Sequence, residues 1–340
     1  MEKILSIIIP SYNTEKYINI CLPYFLDQRI MNDVEILIIS DGSKDRTVEI
    51  AKKYENKYPE CIRVIDKENG GHGSVINRGI VEARGKYFKV VDGDDWVVTD
   101  SLVRLVSYLK THDVDMVVNP YIEYNDKTGS KKEIKRNYID QYGNGEIYSF
   151  DNIDLQQIVQ MHEITYKTEL LQQNNIKIDE GIFYVDAEYI IYPIPFVKKI
   201  SFLRDPVYMY RVNSDTQSVN VKSAQKNLAH HEKVAQKCLK FYEKEKELLS
   251  PQKKKYILAH THRIVSTQYH ILISFKPSLE KKSQVINWDS FIKNNYFDVY
   301  QLKSDPLIEL MKRSDFRLYK VSVELNLIRL TTKKIIGKLR

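Results

Sequence analysis

Three aspartates stand within four positions where an apolar run ends, in the sequence KYFKVVDGDDWVVTD of residues 86–100. They are Asp92, Asp94 and Asp95, and carboxylates crowded at the end of a buried strand repel one another unless a cation joins them. Residues two apart on an extended segment point to the same side, so Asp92 and Asp94 could share one ligand. Oxygen ligands suit Mg²⁺ or Mn²⁺, and such ions also bind phosphate oxygens. The spacing favours a divalent metal and a diphosphate-containing substrate; alternatively, Asp94 or Asp95 caps a helix beginning near Thr99.

Three other polar or glycine-rich segments also follow apolar runs, and each could contact a nucleotide. They are PSYN at 10–13, SDGS at 40–43 and NGGHG at 69–73. A tyrosine in the first could stack on a base, and a carboxylate in the second could accept hydrogen bonds from a base or ribose. The glycines of the third allow the main chain to approach an anion closely. The structural alternatives are a packed tyrosine, an Asx turn and a tight turn with His72 on the surface.

The elements that would hold these segments alternate between strand and helix patterns over the first 120 residues. Apolar runs typical of buried strands occupy 4–10, 34–40, 61–66, 86–91 and 115–120. Apolar strands separated by helices indicate an α/β fold with a mainly parallel sheet covered on both faces. Ligands of such sheets bind outside the carboxyl ends of the strands. The four polar segments are therefore predicted to meet at one composite site.

Charge is distributed unevenly along the 340 residues, whose net charge is +7. Residues 221–340 contain 25 Lys and Arg against 11 Asp and Glu, whereas the first 220 residues contain 27 against 34. Residues 221–340 also have a helical pattern with few glycines. Such asymmetry suggests that the C-terminal region faces something anionic, the alternative being a solvated helical surface. Because the part bearing the candidate site is acidic, nucleic-acid binding is not expected.

Composition is that of a soluble globular protein, with 43% hydrophobic residues. The longest apolar run, residues 189–197, is too short for a transmembrane helix and contains two prolines. No signal peptide pattern is present at the start. The three cysteines are widely scattered and show no metal or disulfide spacing, so we expect a cytoplasmic setting.

Taken together, the segments resemble the inverting family 2 glycosyltransferases, which have the GT-A fold. The matching sequences include SIIIPSYNTEKYINICL, EILIISDGSKDRT, NGGHGSVINRGIVEARGKYFKVVDGDDW, GIFYVDAEY and YMYRVNSDTQSVN. They run in family order from residue 4 to about 220. The resemblance implies a nucleotide-sugar-binding half at 1–120 and an acceptor-binding and catalytic-base half at 121–220 of one GT-A domain. Residues 221–340 add nothing to the match.

The family implies a nucleotide-sugar donor, a divalent metal and direct displacement at the anomeric carbon. Carried over by position, Asp92 would face the ribose or the metal and Asp94 would ligate the metal. Asp41 would contact the base. Other residues expected to contribute to the donor site are Pro10, Tyr12, Asn69, Gly71, Gly93, Arg211 and Gln217. The last two lie in a segment that resembles the family's closing loop near the donor diphosphate or acceptor.

Asp186 falls where the family places its catalytic base. The family usually has Glu-Asp there, whereas this chain has Val185-Asp186, so the base position is kept and its acidic neighbour is lost. Ser40 likewise replaces the first of two aspartates before the Gly-Ser turn. A carboxylate can remove the proton of an acceptor hydroxyl as it attacks. The structural alternative for Asp186 is an N-cap of the following helix.

The expected function is non-processive transfer of one sugar, from a nucleoside-diphosphate sugar, expected to be a UDP-sugar, to a glycan or lipid-linked hydroxyl. The setting implied is bacterial surface-polysaccharide or glycoconjugate synthesis. Processive synthases of the family carry Q-x-x-R-W, whereas Gln217 is followed by Ser-Val-Asn-Val. The alternatives are an inactive transferase scaffold that binds a membrane or polyanion, and a sugar nucleotidyltransferase.

The basic C-terminal segment, residues 316–340, has apolar residues at 318, 321, 325, 328, 335 and 339. This spacing approximates one face of an amphipathic helix lying on an anionic membrane. Alternation across 321–327 would also fit a strand. We expect peripheral contact with the inner face of the cell membrane; contact with a partner or within a homo-oligomer is the alternative.

Overall fold

The computed structural model describes residues 3–155, 157–212 and 221–339, with the side chains of 332–339 left out. The chain forms two compact units. The first contains Met1–Gln217 and Leu249–Lys253, and the second contains Ser218–Leu248 and Lys254–Arg340. The candidate site residues named above that the structure describes all lie in the first unit.

Twelve strands are found among the described residues, all in the first unit. They are β1 Leu5–Ser11, β2 Val34–Asp41, β3 Ile62–Lys67, β4 Tyr87–Val90, β5 Trp96–Val97, β6 Met116–Val118, β7 Tyr121–Asn125, β8 Lys131–Ile134, β9 Ile147–Ser149, β10 Ile164–Lys167, β11 Lys199–Phe202 and β12 Tyr208–Val212. The α-helices of this unit are α1 Glu15–Cys21, α2 Thr47–Lys57, α3 Gly71–Glu82, α4 Thr99–Thr111, α5 Asn137–Gln141, α6 Thr168–Gln173 and α7 Asp186–Ile191.

An eight-stranded sheet forms the centre of the first unit, in the order β3-β2-β1-β4-β10-β6-β11-β9. The strands β3, β2, β1 and β4 are parallel to one another, and β6 is parallel to β11. Strand β10 is antiparallel to both of its neighbours, and β9 is antiparallel to β11. The expected α/β fold is confirmed, but the sheet is mixed. The antiparallel strands come from the irregular region after residue 120, where three- and four-residue strands leave little periodic signal.

The parallel half of the sheet agrees with the apolar patterns. Every residue of β1, β2 and β4 is buried, as expected for strands covered on both faces. Helix α1 ends at Cys21 and a 3₁₀ turn, Leu22–Phe25, follows with Pro23 near its start. Pro23 accounts for this limit, because proline lacks the N–H that a longer helix needs.

A second sheet has the order β5-β12-β7-β8. Strands β7 and β8 form an antiparallel hairpin within the polar segment after residue 121. Strand β5 is only two residues long, yet it pairs with β12 immediately after the acidic segment. This pairing connects residues 92–97 with residues 208–212.

The second unit is helical in its described residues, as the sequence predicted. Its helices are α8 Val221–Lys226, α9 Leu228–Glu245, α10 Pro251–Leu272 (whose first three residues belong to the first unit), α11 Leu279–Asn295, α12 Phe297–Tyr300, α13 Pro306–Arg313 and α14 Tyr319–Leu339. The C-terminal segment is therefore a helix, and the alternative strand over 321–327 is wrong. Over the described part of the chain, no helix combines the length and apolar character needed to cross a bilayer.

Candidate active site

The acidic segment after β4 is a turn. The Asp95 N–H donates to the Asp92 carbonyl at 2.9 Å, which closes the segment on itself. The backbone here is therefore not extended, and the reason for expecting Asp92 and Asp94 to point to the same side does not hold. The turn instead sends neighbouring carboxylates into different surroundings.

Asp95 is buried beneath the turn, where it connects the acidic segment to β12. Its two carboxylate oxygens accept hydrogen bonds from the Tyr208 hydroxyl at 2.6 Å and from the Arg211 backbone N–H at 2.7 Å. The same Tyr208 oxygen accepts a hydrogen bond from the Asp92 N–H at 3.0 Å. Burial, with the negative charges of Asp94 and Asp92, raises the pKa of Asp95 well above its usual range. Asp95 thus fixes the turn from inside, and it does not cap the helix α4.

Asp92 is half-buried and meets a histidine of the glycine-rich segment. His72 Nε2 lies 2.9 Å from Asp92 Oδ1. Burial alone would lower the pKa of His72, but the hydrogen bond and negative charge of Asp92, with the charges of Asp186 and Asp41, raise it. Burial alone would raise the pKa of Asp92, and His72 reverses this and lowers it. His72 is therefore a partner of Asp92 in the first turn of α3, with 32% of its side chain exposed.

Asp94 is half-exposed like Asp92, but among the described residues its carboxylate has no histidine partner. Burial and the charge of Asp92 raise the pKa of Asp94 to about 6. Its main chain is fixed, because its carbonyl accepts a hydrogen bond from Arg211 Nε at 2.8 Å. Two half-exposed carboxylates that repel each other form a donor set that suits a hard divalent cation. Asp92 and Asp94 therefore remain candidate ligands for the metal that the family resemblance implies.

Asp92 also belongs to a second set of potential metal-ligating atoms. Ligand atoms of Asp92, Asp95 and His162 lie within 4.8 Å of one another. Burial lowers the pKa of His162 to about 4, so its imidazole is neutral at pH 7 and could ligate a metal. Both Asp95 oxygens, however, are already used by Tyr208 and Arg211. Asp92 and Asp94 are for this reason the better candidates for binding a phosphate-bound cation.

His162 is held in place by a buried lysine that the sequence interpretation did not single out. Lys89 Nζ donates to the carbonyl oxygens of His162 at 3.0 Å and Ile164 at 3.2 Å. The Lys89 side chain is fully buried, and burial lowers its pKa to about 7, although the charge of Glu163 opposes this. The sequence feature that could have identified this residue is a charged side chain, Lys89, within an otherwise apolar strand.

Asp41 organises the glycine-rich segment. Its carboxylate accepts hydrogen bonds from the Gly70 N–H at 2.9 Å, the Gly71 N–H at 2.8 Å and Lys67 Nζ at 2.8 Å. The Asn69 side-chain amide donates to the Asp41 carbonyl at 2.8 Å. Gly71 has φ +80°, a conformation that other residues rarely adopt. In this structure Asp41 holds the loop; its contact with a nucleotide base stays a prediction.

The glycine-rich segment packs directly against the chain that leads to Asp186. The Gly181 N–H donates to the Gly70 carbonyl at 2.6 Å. A Cβ atom on Gly73 would lie only 2.0 Å from the Asp179 carbonyl oxygen, so no side chain fits there. Asn77 donates to the Ile178 carbonyl and accepts from the Ile178 N–H. These contacts bring the segment before α7 to the ends of the parallel strands.

Asp186 is the first residue of α7, and Val185 is the N-cap residue, with no side-chain capping bond. The alternative interpretation of Asp186 as the N-cap is therefore wrong. Its side chain is exposed, yet it lies among protein groups that reduce its hydration. This desolvation and the charge of Asp92 raise the pKa of Asp186, while His72 opposes the increase. A solvent-accessible carboxylate with a raised pKa beside the metal-binding candidates is suited to accept a proton.

Other candidate residues have different surroundings. Arg211 is buried on β12, with its guanidinium 4.7 Å from the Trp96 ring centre and 4.8 Å from that of Tyr17, and it pairs with Asp126. This environment gives Arg211 a packing role beside Trp96, which is buried in the core. Gln217 lies outside the described residues.

The PSYN segment, which begins in β1, contributes one buried and one exposed residue. Pro10 is buried, and its carbonyl accepts a hydrogen bond from the Gly93 N–H at 3.0 Å. Tyr12 is 55% exposed, so its ring is accessible to a ligand. The close approach at Gly93 brings the PSYN segment beside the acidic turn.

Comparisons with known proteins agree with this geometry. The model of "Glycosyl transferase family 2" matches residues 6–173. The uncharacterized glycosyltransferase EpsJ of Bacillus subtilis is 30% identical over 64% of this chain and 63% of its own length. The poly(ribitol-phosphate) beta-glucosyltransferase of Bacillus spizizenii is 28% identical over 64% of this chain and 33% of its own. The aligned part thus spans less than two thirds of each relative.

A solved structure resembles the chain over most of its length. The crystal structure of Staphylococcus aureus TarS 1–349 in complex with UDP-GlcNAc has a TM-score of 0.61 and 21% sequence identity. The match covers 94% of this chain and 90% of that one. At this identity the likeness shows the fold, which is the expected GT-A fold.

Proposed function

Since the chain belongs to glycosyl transferase family 2, we propose that it is a non-processive, inverting glycosyltransferase that uses a UDP-sugar. The observation that carries this proposal is the meeting of Asp92, Asp94 and Asp186 at one end of the parallel strands, with His72 acting electrostatically on Asp92 and Asp186. Support for the nucleotide comes from the UDP-GlcNAc bound to TarS in a similar fold.

The proposed donor site lies around the acidic turn. Asp92 and Asp94 would hold Mn²⁺ or Mg²⁺, which neutralises the charge of the departing diphosphate when bound. The exposed ring of Tyr12 would lie against the nucleotide, with Pro10 and Gly93 forming the floor beside it. Asn69 and Gly71 would contribute the backbone of the glycine-rich segment. The buried position of Arg211 favours a supporting role over direct phosphate contact.

Asp186 is the proposed catalytic base. Its carboxylate would accept the proton of the acceptor hydroxyl while the hydroxyl oxygen attacks the anomeric carbon and the bond to the nucleoside diphosphate breaks. The reaction needs no nucleophile from the protein, because the acceptor oxygen attacks directly. One displacement inverts the configuration at the anomeric carbon.

The proposed acceptor is a hydroxyl of a glycan or lipid-linked intermediate in cell-surface polymer synthesis. The name of the Bacillus spizizenii relative, which specifies poly(ribitol-phosphate), supports a surface-polymer acceptor. A cytoplasmic position at the inner face of the membrane follows from this proposal.

The experiment compares the wild-type protein with Asp186→Asn. With Mn²⁺ and a panel of nucleotide sugars, we expect the wild-type protein to be stabilised thermally by one donor and to transfer its sugar. Asp186→Asn should lower the transfer rate roughly 100- to 10,000-fold, the range for loss of a general base. Its affinity for the donor should remain within about twofold, since the substitution removes a charge and no donor contact.

The matched control is Asp140→Asn, which makes the same change at an exposed position on α5. It should transfer at the wild-type rate. Retained transfer in Asp186→Asn, or loss of donor binding alone, would contradict the role as base. Failure of the wild-type protein to release nucleotide from any donor would favour an inactive scaffold. Formation of a nucleotide sugar from a sugar phosphate and a nucleoside triphosphate would identify a nucleotidyltransferase.

A further inference from the structure

The last helix of the second unit, α14, has a buried face that fixes its orientation. This inner face contains Tyr319, Ser322, Val323 and Asn326, each at most 4% exposed. The Asn326 amide donates to the Ile273 carbonyl at 3.2 Å, just beyond the end of α10. Helix α14 therefore packs against its own unit through this inner face, and the packing determines which residues lie on its opposite side.

The opposite side of α14 carries an apolar stripe that the unit does not bury. Its residues are Leu318, in the turn before the helix, Val321, Leu325 and Ile328, which are 39%, 45%, 44% and 62% exposed. Their spacing of three, four and three positions aligns them along one side of a helix. Isolated exposed aliphatic residues are common, but a regular stripe opposite a buried face indicates a surface that contacts something else.

Basic residues accompany the apolar stripe. Residues 317–340 contain seven Lys and Arg and one acidic residue, Glu324. Arg317 and Lys320 are exposed at the start of the helix, beside Leu318 and Val321. An exposed aliphatic stripe with an excess of cations is the pattern of helices that lie in the headgroup region of anionic membranes.

We propose that α14 docks on an anionic lipid surface through the apolar stripe, with the neighbouring Lys and Arg side chains at the headgroups. Charge decides between this occupant and a second copy of the chain. Two copies of α14 would each bring an excess of Lys and Arg over Glu to the contact, and like net charges oppose association. An anionic bilayer offers both opposite charge and an apolar layer for Leu, Val and Ile.

The experiment measures flotation of the intact protein with vesicles, without any nucleotide sugar, so its result is independent of the proposed transfer reaction. Vesicles of phosphatidylcholine alone are compared with vesicles in which about a third of the lipid is phosphatidylglycerol. The wild-type protein should float with the anionic vesicles and remain mostly unbound with the neutral ones. Raising the ionic strength should weaken binding.

The test variant is Val321→Gln with Leu325→Gln, which keeps the charge and removes two apolar side chains from the stripe. It should bind anionic vesicles roughly tenfold or more weakly, since each half-exposed aliphatic side chain contributes to insertion. The matched control is Leu248→Gln with Leu279→Gln. These two leucines of the same unit are 84% and 88% exposed and lie outside α14. The control should float like the wild-type protein.

Three outcomes would overturn the proposal. One is equal flotation of the stripe variant and the wild-type protein, and a second is equal binding to neutral and anionic vesicles. The third is a concentration-dependent dimer, seen by light scattering without lipid and lost in the stripe variant, which would assign the stripe to a second copy of the chain. Circular dichroism of each variant distinguishes lost docking from lost folding.

Discussion

At the scale of single residues, the acidic turn separates two neighbouring aspartates. Asp95 points inward, where its oxygens accept hydrogen bonds from buried Tyr208 and from the Arg211 backbone. Asp94 is half-exposed, and repulsion from Asp92 contributes to its raised pKa. Asp95 thus supplies the acceptors for two buried donors, whereas Asp94 is accessible to a cation that would relieve its repulsion from Asp92.

This contrast predicts opposite effects of two alanine substitutions on stability. Asp95→Ala should lower the free energy of unfolding by about 2–6 kcal/mol, since two buried donors lose their acceptor at about 1–3 kcal/mol each. Asp94→Ala should change it by no more than about 1 kcal/mol, because its loss relieves repulsion. Urea unfolding followed by circular dichroism gives both values.

Binding of Mn²⁺, followed by electron paramagnetic resonance of the free ion, provides the complementary measurement. Asp94→Ala should weaken this binding while remaining folded. The assignment of roles would be contradicted if Asp94→Ala destabilised the protein as much as Asp95→Ala does.

At the scale of elements, the proposed active site depends on the contact between α3 and the segment before α7. Gly73, in the first turn of α3, lies against the Asp179 carbonyl, and Gly70 bonds to Gly181. This contact joins a segment of the donor side to the one that carries Asp186. Main-chain contact at this distance is available only to glycine.

The substitution Gly73→Ala tests that contact. Its Cβ would lie 2.0 Å from the Asp179 oxygen and 3.2 Å from an Ile178 methyl, so the two segments must separate. We expect a loss of about 1–3 kcal/mol in unfolding free energy, typical of overpacking, together with slower transfer. Urea unfolding and a transfer assay measure the two effects.

Gly129→Ala is the matched control for this prediction. Its Cβ would have no atom within 4 Å, although its φ of +69° adds backbone strain of about 1 kcal/mol. Transfer by this variant should equal that of the wild-type protein. A Gly73→Ala protein as stable and active as the wild type would show that the contact is unimportant.

At the scale of the whole molecule, burial makes all three cysteines inert. Cys21, Cys61 and Cys238 form no disulfide among the described residues and are at most 3% exposed. Burial raises the pKa of Cys21 to about 12, although the charge of Arg211 opposes this, and burial raises that of Cys61 to about 11. Because the thiolate is the reactive form, the folded protein should resist thiol reagents.

Thiol titration with a chromogenic disulfide reagent at pH 8 tests this prediction. The fraction of thiolate is about 1 in 10,000 for a pKa of 12 and about 1 in 1,000 for a pKa of 11. The folded protein should therefore show little reaction over minutes, and three equivalents should react at once in guanidinium. Rapid reaction of even one thiol in the folded protein would contradict the buried positions.

The same shifts predict a loss of stability at alkaline pH. A thiol whose pKa is higher in the folded than in the unfolded chain retains its proton while the unfolded chain releases one. Its contribution is complete below about pH 8.5, the pKa of an exposed thiol, and decreases as pH rises toward 11 to 12. Unfolding free energies measured in urea should decrease over this range, and an increase would contradict the prediction.

The sequence by itself determined the parallel half of the fold and predicted a composite site at its strand ends. Long apolar strands followed by polar loops leave few alternative topologies, so Asp41, Asp92 and Asp94 could be chosen as candidates from their positions after the strands. The spacing of apolar residues in 316–340 indicated a helix but left a strand over 321–327 open, and the structure has the helix.

Only the tertiary structure decided how neighbouring side chains divide their roles. A turn at 92–95 sends Asp95 inward, and His72, twenty positions from Asp92 in sequence, becomes its partner. Strand β10 runs antiparallel between β4 and β6, and Lys89 turns out to hold the segment with His162. Periodicity reports which face of an element is buried. Contacts between residues distant in the chain depend on how elements pack, and sequence pattern carries no direct record of that packing.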